Sequence, residues 1–216
     1  MRERSLFRHF FYEATRVVLA LLNMVSFRTR YSGRENVPKE GGVLVVSNHQ
    51  SHLDPPLIGL GCPRQMSPLA RESLFDVPLL GRLITWLGSI PIDRDGMGIS
   101  GIKESLRHLK RGEMVLIFPE GTRSPDGEIA PFKPGFGTLA VRSKAHILPV
   151  AIEGAYACWP RSRKLPRLGR IRIHYGEPIS PEQVQQFDDR ELLEEVERRV
   201  RDCHEYLREV CAEKGT

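Results

Sequence analysis

Short apolar segments alternate with helical patterns along the middle of this chain. Apolar runs bounded by turn residues occur at residues 43–47, 89–92, 114–118, 147–152 and 171–175, and such runs are typical of buried strands. Helical patterns lie between them, after Asp54-Pro55-Pro56 and over residues 78–87, 98–110 and 134–143. This alternation predicts one α/β domain with a central, mostly parallel or mixed sheet flanked by helices.

A helix is predicted at each end of the chain. Residues 6–25 place their apolar side chains on one broad arc, and their longest apolar run, residues 17–22, is too short to span a bilayer. We divide the chain into an amphipathic helix (residues 1–30), a core (31–180) and a C-terminal helix on the core (181–216). The predicted start signals of the C-terminal helix are Ser180, Pro181 and Gln183. The pattern of the first helix fits either a membrane interface or packing on the core.

The charge is distributed unevenly. Residues 1–30 contain six Arg and two Glu, residues 161–172 contain six Arg or Lys and no acid, and residues 182–214 contain eleven acids and six bases. Basic clusters of this kind favour phosphate-rich partners. No zinc-finger spacing, ribonucleoprotein motif or clear helix-turn-helix is found, so nucleic acid is not an expected partner. The four cysteines have no metal-ligand spacing, which indicates reduced thiols.

The segment Asn48-His49-Gln50-Ser51-His52-Leu53-Asp54 follows the predicted strand 43–47. His49 and Asp54 are five positions apart, so their side chains diverge on a helix and lie about 16 Å apart on a strand. They meet only in a turn, and the strand end followed by Asp54-Pro55-Pro56 predicts one. There Asp54 would orient the imidazole of His49, which would act as a general base.

Two other interpretations of this segment remain open. Asp54 could instead cap the following helix, with His49 as an ordinary loop residue. Alternatively, His49, His52 and Asp54 could bind the metal of a phosphoesterase, although such a site needs further ligands. A non-catalytic module that binds lipid or nucleic acid through its basic clusters is a third possibility.

A second segment, residues 118–124 (Phe-Pro-Glu-Gly-Thr-Arg-Ser), follows the predicted strand at 114–117. Gly121 permits a tight turn, and the guanidinium of Arg123 matches phosphate oxygens. Arg94 ends another short strand and is a second candidate phosphate ligand. The G-x-G-x-x-A pattern at residues 135–140 does not follow a strand, so it does not predict a dinucleotide site. The G-x-S-x-G elbow of serine hydrolases is absent.

From about residue 33 to 176 the chain resembles the 1-acylglycerol-3-phosphate acyltransferase family, the PlsC-like glycerolipid acyltransferases. Four blocks occur in the order typical of that family: residues 48–54, 88–94, 118–124, and 147–152 with Pro149 inside. Residues 71–75 and 131–135 also resemble family segments. Arg71 stands where many members have Lys, so the resemblance assigns it no role.

The resemblance implies that an acyl group moves in one step from acyl-CoA or acyl carrier protein to the hydroxyl of lysophosphatidate or a related lysophospholipid. His49 would be the base and Asp54 its orienting carboxylate. The residues expected to bind the acceptor are Arg94, Glu120, Gly121, Thr122, Arg123 and Lys133. No cofactor or metal is implied. Because the family acts on lipids, the resemblance favours a membrane-associated protein on the cytoplasmic face, bound through the helix at residues 6–25.

Overall fold

The computed structural model describes residues 27–86, 88–92 and 99–213. Its strands are β1 (Arg30–Ser32), β2 (Val43–Ser47), β3 (Met66–Arg71), β4 (Ile90–Ile92), β5 (Met114–Ile117), β6 (His146–Glu153) and β7 (Arg172–Tyr175). Its α-helices are α1 (Asp54–Gly61), α2 (Leu80–Trp86), α3 (Ile99–Lys110), α4 (Gly135–Ser143), α5 (Ala155–Cys158), α6 (Pro181–Val184) and α7 (Asp189–Glu213). Short 3-10 turns lie at Arg34–Asn36 and Glu72–Leu74.

All seven strands form one sheet in the order β1-β7-β6-β2-β5-β3-β4. Strands β6, β2, β5, β3 and β4 are parallel to one another. Strand β7 pairs antiparallel with β6, and β1 pairs parallel with β7. The central strands β2 and β5 are buried along their whole length, as expected when helices cover both faces of a parallel sheet. The predicted α/β fold with a mostly parallel, mixed sheet is confirmed.

The alternating side chains of β2 and β5 divide the core into two layers. Val45 and Leu116 face one layer together with Ile58 of α1. Leu44 and Val115 face the other layer, which α4 and α7 cover with a larger set of apolar side chains: Phe136, Leu139, Leu192, Val196 and Val200. This period-two division explains why both strands have unbroken apolar sequences.

Two strands were not expected from the sequence. β1 is only three residues long, and its Arg-Tyr-Ser sequence has little apolar character. β3 contains Pro68 and ends in a polar Arg, so its composition does not mark a strand. Both form because neighbouring strands offer them hydrogen-bonding edges: β7 pairs with β1, and β5 with β3.

The predicted start of the C-terminal helix is wrong. Ser180 and Gln183 do form a capping box, but it begins the short helix α6. The long helix begins at Asp189, because Asp188 Oδ1 accepts the N–H groups of Arg190 and Glu191, both at 2.8 Å. The Glu191 carboxylate accepts the Asp188 N–H in return at 3.1 Å. This second capping box separates the two helices.

The amphipathic helix predicted over residues 6–25 lies outside the described residues. Phe27, the first of the described residues, has its side chain buried in the core. In the part of the chain that the structure describes, no helix combines the length and apolarity needed to cross a bilayer. A placement of residues 1–26 on the membrane or on the core therefore stays a prediction.

Strands β2, β3, β5 and β6 run in the same direction, so they all end at one edge of the sheet, which we call the carboxyl edge. The 48–54 segment follows β2 there, and the 118–124 segment follows β5, the strand paired with β2. Ligands bind at this edge in open α/β sheets. The topology thus brings two segments about seventy positions apart to the same place.

Candidate functional site

The His49 side chain meets Asp54 in the turn between β2 and α1. Nδ1 of His49 lies 2.8 Å from Oδ2 of Asp54, and the Asp54 carboxylate is fully buried, while the His49 side chain is 19% exposed. Because Asp54 is an acceptor, Nδ1 carries the ring proton and Nε2 is the nitrogen available to take up another. The arrangement fits a general base with an orienting carboxylate.

Asp54 also organises the backbone of the turn. The same Oδ2 atom accepts the N–H groups of Gln50 and Ser51 at 2.6 and 2.7 Å, and both residues precede the helix. The N-cap position of α1 is Leu53, which makes no side-chain capping bond. The carboxylate therefore holds the loop that bears His49, and the interpretation of Asp54 as a plain helix cap has no support in this geometry.

The 118–124 segment holds the backbone of His49 from the other side. The His49 N–H donates to Oε1 of Glu120 at 2.7 Å, and the His49 carbonyl accepts the Ser124 N–H, also at 2.7 Å. The imidazole stacks on the Phe118 ring, with centroids 4.0 Å apart. Both backbone groups and one ring face of His49 are thus fixed by the second segment.

Glu120 has a supporting position. Its second oxygen accepts the Ala130 N–H at 3.1 Å, so both carboxylate oxygens bind backbone N–H groups. The side chain is buried, and its predicted part in the acceptor-phosphate site stays a prediction. Burial raises the pKa of Glu120 to about 7 although both N–H donors oppose the shift. Glu120 is thus a carboxyl group that titrates near neutrality beneath the His49 loop.

Three arginines gather beside this loop. Arg123 is partly buried. Burial and the charges of Arg161 and Arg71 lower the pKa of its guanidinium, while the charge of Asp54 opposes that shift. Arg161 also donates from Nη1 to Oγ1 of Thr122 at 3.3 Å. Arg71 ends β3, the neighbour of β5. Mutually repelling cations of this kind favour an anionic ligand.

Of the other predicted acceptor residues, Gly121 and Lys133 lie at the turn of the 118–124 segment. Gly121 has a φ of 72° in the turn, and a Cβ there would fall 2.6 Å from Nζ of Lys133, so the flexible end of the Lys133 side chain lies over this turn. The Lys133 side chain is exposed, and the backbone N–H of Lys133 donates to the Pro119 carbonyl at 3.0 Å. Arg94 lies outside the described residues, so its predicted role stays a prediction.

The residues of the metal hypothesis do not form a ligand set. Nδ1 of His49 is bound to Asp54, while the His52 ring packs against Trp159 with centroids 5.5 Å apart. Burial, with Arg123 and His49 adding to it, lowers the pKa of His52. Across residues 27–86, 88–92 and 99–213, no three His, Cys, Asp or Glu side chains are grouped as metal ligands. No described feature favours the phosphoesterase interpretation.

Sequence reasoning missed a polar network behind the loop. Gln50 Nε2 donates to the Gly127 carbonyl at 3.0 Å, and its Oε1 accepts the Tyr156 N–H at 3.2 Å. Gln50 also lies 3.3 Å from Glu153, whose carboxylate binds Nε2 of His204 on α7 at 2.5 Å. A signal was present: His204 falls on the stripe formed by Val200, Cys203 and Leu207, where a polar residue is unusual.

Glu153 and His204 form a partly buried pair. Burial acts to raise the pKa of Glu153, but His204, Gln50 and Arg208 together lower it. Asn48 makes a comparable link, since its Oδ1 accepts the Ile152 N–H at 2.9 Å and its Nδ2 donates to the Ile152 carbonyl at 3.0 Å. The loop that bears His49 is therefore fastened to β6 and, through Glu153, to α7.

Comparisons with known proteins give a matching family model and similar relatives. Residues 28–153 match the family model described as Acyltransferase. A 1-acyl-sn-glycerol-3-phosphate acyltransferase of Bacillus subtilis is 29% identical, covering 90% of this chain and 95% of the relative. The Limnanthes douglasii enzyme of the same name is 33% identical over 74% of this chain, which spans 58% of that relative.

A solved structure is similar over nearly the whole chain. It is the crystal structure of the 1-acyl-sn-glycerophosphate acyltransferase PlsC from Thermotoga maritima, with a TM-score of 0.80 and 32% identity. The match covers 96% of this chain and 84% of the other.

Proposed function

The chain belongs to the acyltransferase family, and on this premise we propose that it moves a fatty acyl group from a thioester to the free hydroxyl of lysophosphatidate or a related lysophospholipid. The names of the relatives support lysophosphatidate as the acceptor. The observation that carries the proposal is the double support of His49: Asp54 orients its ring, and Glu120 and Ser124 hold its backbone beside a group of arginines.

In this mechanism His49 acts as the general base. Nε2 takes the proton of the acceptor hydroxyl while the oxygen attacks the carbonyl carbon of the thioester. The C–O bond forms and the C–S bond breaks. The protonated His49 then donates its proton to the leaving sulfur, which departs as a thiol. Asp54 stabilises the imidazolium that exists between the two proton transfers. A base of this kind contributes about 10²- to 10⁴-fold to a rate.

The acceptor phosphate binds to the arginines beside the loop. Arg123 is central, since the charges of both Arg161 and Arg71 act on it. A phosphate dianion relieves the repulsion among these cations and accepts paired N–H donors from a guanidinium. Holding the phosphate fixes the distance between the acceptor hydroxyl and His49, and such positioning accounts for much of the catalysis.

The acyl donor is either acyl-CoA or an acyl carrier protein, and the reaction as proposed uses no further cofactor. Both donors present the acyl group as a thioester, so the chemistry at His49 is the same. A direct comparison of both thioesters under equal conditions, by their kcat/KM values, identifies the physiological class.

We place the protein at the cytoplasmic face of a membrane, held by the amphipathic segment at residues 6–25. The support is the sequence pattern together with a lipid acceptor. Removal of residues 1–26 tests this, because it spares the buried Phe27 and the strand β1. We expect the truncated protein to sediment with vesicles much less than the full chain does. Sedimentation equal to that of the full chain would assign membrane binding elsewhere.

The function itself is tested with labelled acyl thioester and a panel of acceptors. The panel contains lysophosphatidate, glycerol 3-phosphate, lysophosphatidylcholine and an amino-acid lipid, and the products are identified by mass. We expect phosphatidate as the main product. Thioester consumption without any acylated acceptor would indicate hydrolysis instead, and an absence of consumption would contradict the acyltransferase proposal.

A further inference from the structure

The loop between α5 and β7 exposes apolar side chains among cations. Within residues 159–170 there are five Arg or Lys residues and no acid. Leu165 and Leu168 are 74% and 79% exposed, which places them among the most exposed large apolar side chains that the structure describes. Single exposed leucines are common on soluble surfaces. Two within four residues, surrounded only by positive charge, form a small amphipathic surface.

The base of this loop is firmly attached. The indole Nε1 of Trp159 donates to the Arg163 carbonyl at 3.0 Å, and the Arg167 N–H donates to the Cys158 carbonyl at 2.8 Å. Ser51 of the His49 loop donates its hydroxyl to the Trp159 carbonyl at 2.8 Å. The leucines therefore project from an anchored turn that is continuous with the candidate site.

A second exposed apolar segment lies on the other side of the site. It follows β3 at the carboxyl edge, where Val77, Leu79 and Leu80 are exposed, Leu79 to 78%. In the sheet order, β6 and β3 flank the two strands β2 and β5 that bear the site. The apolar loops after β3 and after β6 thus stand on both sides of the site.

We propose that this face docks on an anionic lipid bilayer, with Leu165 and Leu168 inserted among the lipid headgroups. The cations of residues 161–170 would contact the lipid phosphates, and the loop after β3 would meet the same surface across the site. The inference rests on the proposed function in one respect, since a lipid acceptor makes the bilayer the source of substrate. It is separate from the proposed anchor at residues 6–25.

The combination of charge and apolar exposure selects the bilayer as the partner. Each cation near an anionic surface adds to the attraction, and apolar side chains add affinity in proportion to the area they bury. A bilayer offers one extended surface to both flanking loops. An acidic carrier protein or a second copy of this chain would cover a smaller, more local patch.

The test measures binding of the full chain to vesicles without any thioester. The vesicles contain phosphatidylcholine with or without phosphatidylglycerol, and binding is followed by sedimentation. The double variant Leu165→Gln/Leu168→Gln should bind both kinds of vesicle about tenfold more weakly, because each leucine loses its apolar contact. The double variant Lys164→Gln/Arg167→Gln should lose about tenfold on anionic vesicles only.

A matched control removes two cations from the opposite edge of the sheet. Lys39 and Lys144 are exposed and precede β2 and β6, so Lys39→Gln/Lys144→Gln should bind anionic vesicles almost as the parent chain does. If the control and Lys164→Gln/Arg167→Gln lose the same amount of binding to anionic vesicles, the effect is one of net charge alone, and the proposal is overturned. Unchanged binding in both loop variants would also overturn it.

A local measurement separates this loop from the amino-terminal anchor. Trp86 and Trp159 are the two tryptophans of the chain, so Trp86→Phe leaves Trp159 as the fluorescent reporter at the base of the loop. We expect lipids brominated near the headgroup to quench it, and the leucine double variant to lose about half of that quenching. Absence of quenching in vesicle-bound Trp86→Phe protein would contradict insertion.

Two further results would assign the surface to another partner. If the leucine variants bind vesicles normally but lose transfer from an acyl carrier protein alone, the surface docks that protein. If light scattering shows a dimer that the variants dissociate, it docks a second copy. Either result overturns the bilayer proposal. Failure of acyl transfer itself would leave the vesicle measurements standing, since they use no substrate reaction.

Discussion

Two loops at the carboxyl edge, residues 48–54 and residues 159–170, differ in how their polar groups are used. In the loop at residues 48–54, Asn48, Gln50, Ser51 and Asp54 are at most 1% exposed, and their side chains are hydrogen-bonded within the protein. In the loop at residues 159–170, most cations are in water and two leucines are exposed. One loop is fixed from all sides, whereas the other offers its groups to a partner.

The difference reflects two requirements. A general base works only if its ring stays in one orientation, so buried hydrogen bonds around His49 are useful even though burying the Asp54 carboxylate is costly. A binding surface works only if its donors are not already satisfied, so its cations stay exposed until a ligand arrives. Arg123 has properties of both regions, because it is partly buried and feels the like charges of Arg161 and Arg71 as well as the opposite charge of Asp54.

The largest expected effect comes from the fixed loop. His49→Ala removes the base, and we expect kcat to fall about 10³-fold or more with little change in the thermal midpoint. The matched control is His52→Ala, three positions further on, which should lower kcat less than about fivefold. Steady-state kinetics with circular dichroism melting measures both. Comparable losses in the two variants would show that the loop as a whole, rather than His49, is required.

The next effect concerns Arg123, which has properties of both regions. Arg123→Ala should raise the acceptor KM and lower kcat/KM by about 10²-fold, because a charge-assisted pair with phosphate is lost. Arg123→Lys should recover part of that loss, since it restores the charge but not the paired donors. Kinetics at varied acceptor concentration measures this. An unchanged KM in Arg123→Ala would place the phosphate site elsewhere.

Glu120 gives a pH test of the buried region. Its folded-state pKa of about 7 lies above the ordinary 4.5, so the folded protein binds the proton more tightly than the unfolded chain. The stabilisation is fully present below about pH 4.5 and is lost as the pH rises through about 7. Relative to Glu120→Gln, the parent chain should therefore gain about 1–2 kcal/mol between about pH 7.5 and 5.5.

Urea unfolding at the two pH values measures this gain. The control is Glu40→Gln, because Glu40 is exposed and lies outside the site. Glu40→Gln should follow the pH dependence of the parent chain, while Glu120→Gln should show a flatter one. Identical pH dependence in all three proteins would mean that Glu120 does not titrate as its burial indicates.

The smallest expected effect lies behind the loop. His204→Ala removes the partner of Glu153 and loosens the support of Gln50, so we expect kcat to fall about three- to tenfold with an unchanged acceptor KM. His204→Gln should restore part of the rate, because it again offers a donor to the carboxylate. Equal kcat values in the parent and His204→Ala would limit this network to stability.

The sequence predicted much of the fold and less of the site. The strands at β2, β4, β5, β6 and β7 were predicted within one or two residues, and the family indicated by the four blocks is confirmed. The helix start at Ser180 was wrong, since the D-x-x-E signal at residues 188–191 begins the long helix. The sequence did not predict strand β3, because it contains Pro68 and ends in a polar residue.

The site was only partly predictable, because some of its contacts are local in sequence and others join distant positions. The pairing of His49 with Asp54 could be inferred because five residues in a turn can be judged locally. The contact of Glu120 with the His49 N–H spans 71 positions, so the sequence does not predict it. The contact of His204 with Glu153 spans 51 positions, and no local pattern joins these two residues.

By itself, then, the sequence determined the local features of this protein: the apolar runs that become strands, the turn at His49, and the order of the motifs. Each depends on neighbouring residues and on the period of the backbone. Only the tertiary structure decided that Glu120 and Ser124 hold the His49 backbone, that Arg71 and Arg161 act on Arg123, and that α7 supports the loop through His204. These contacts follow from the strand order β6-β2-β5-β3, which sets distant segments side by side at one edge of the sheet.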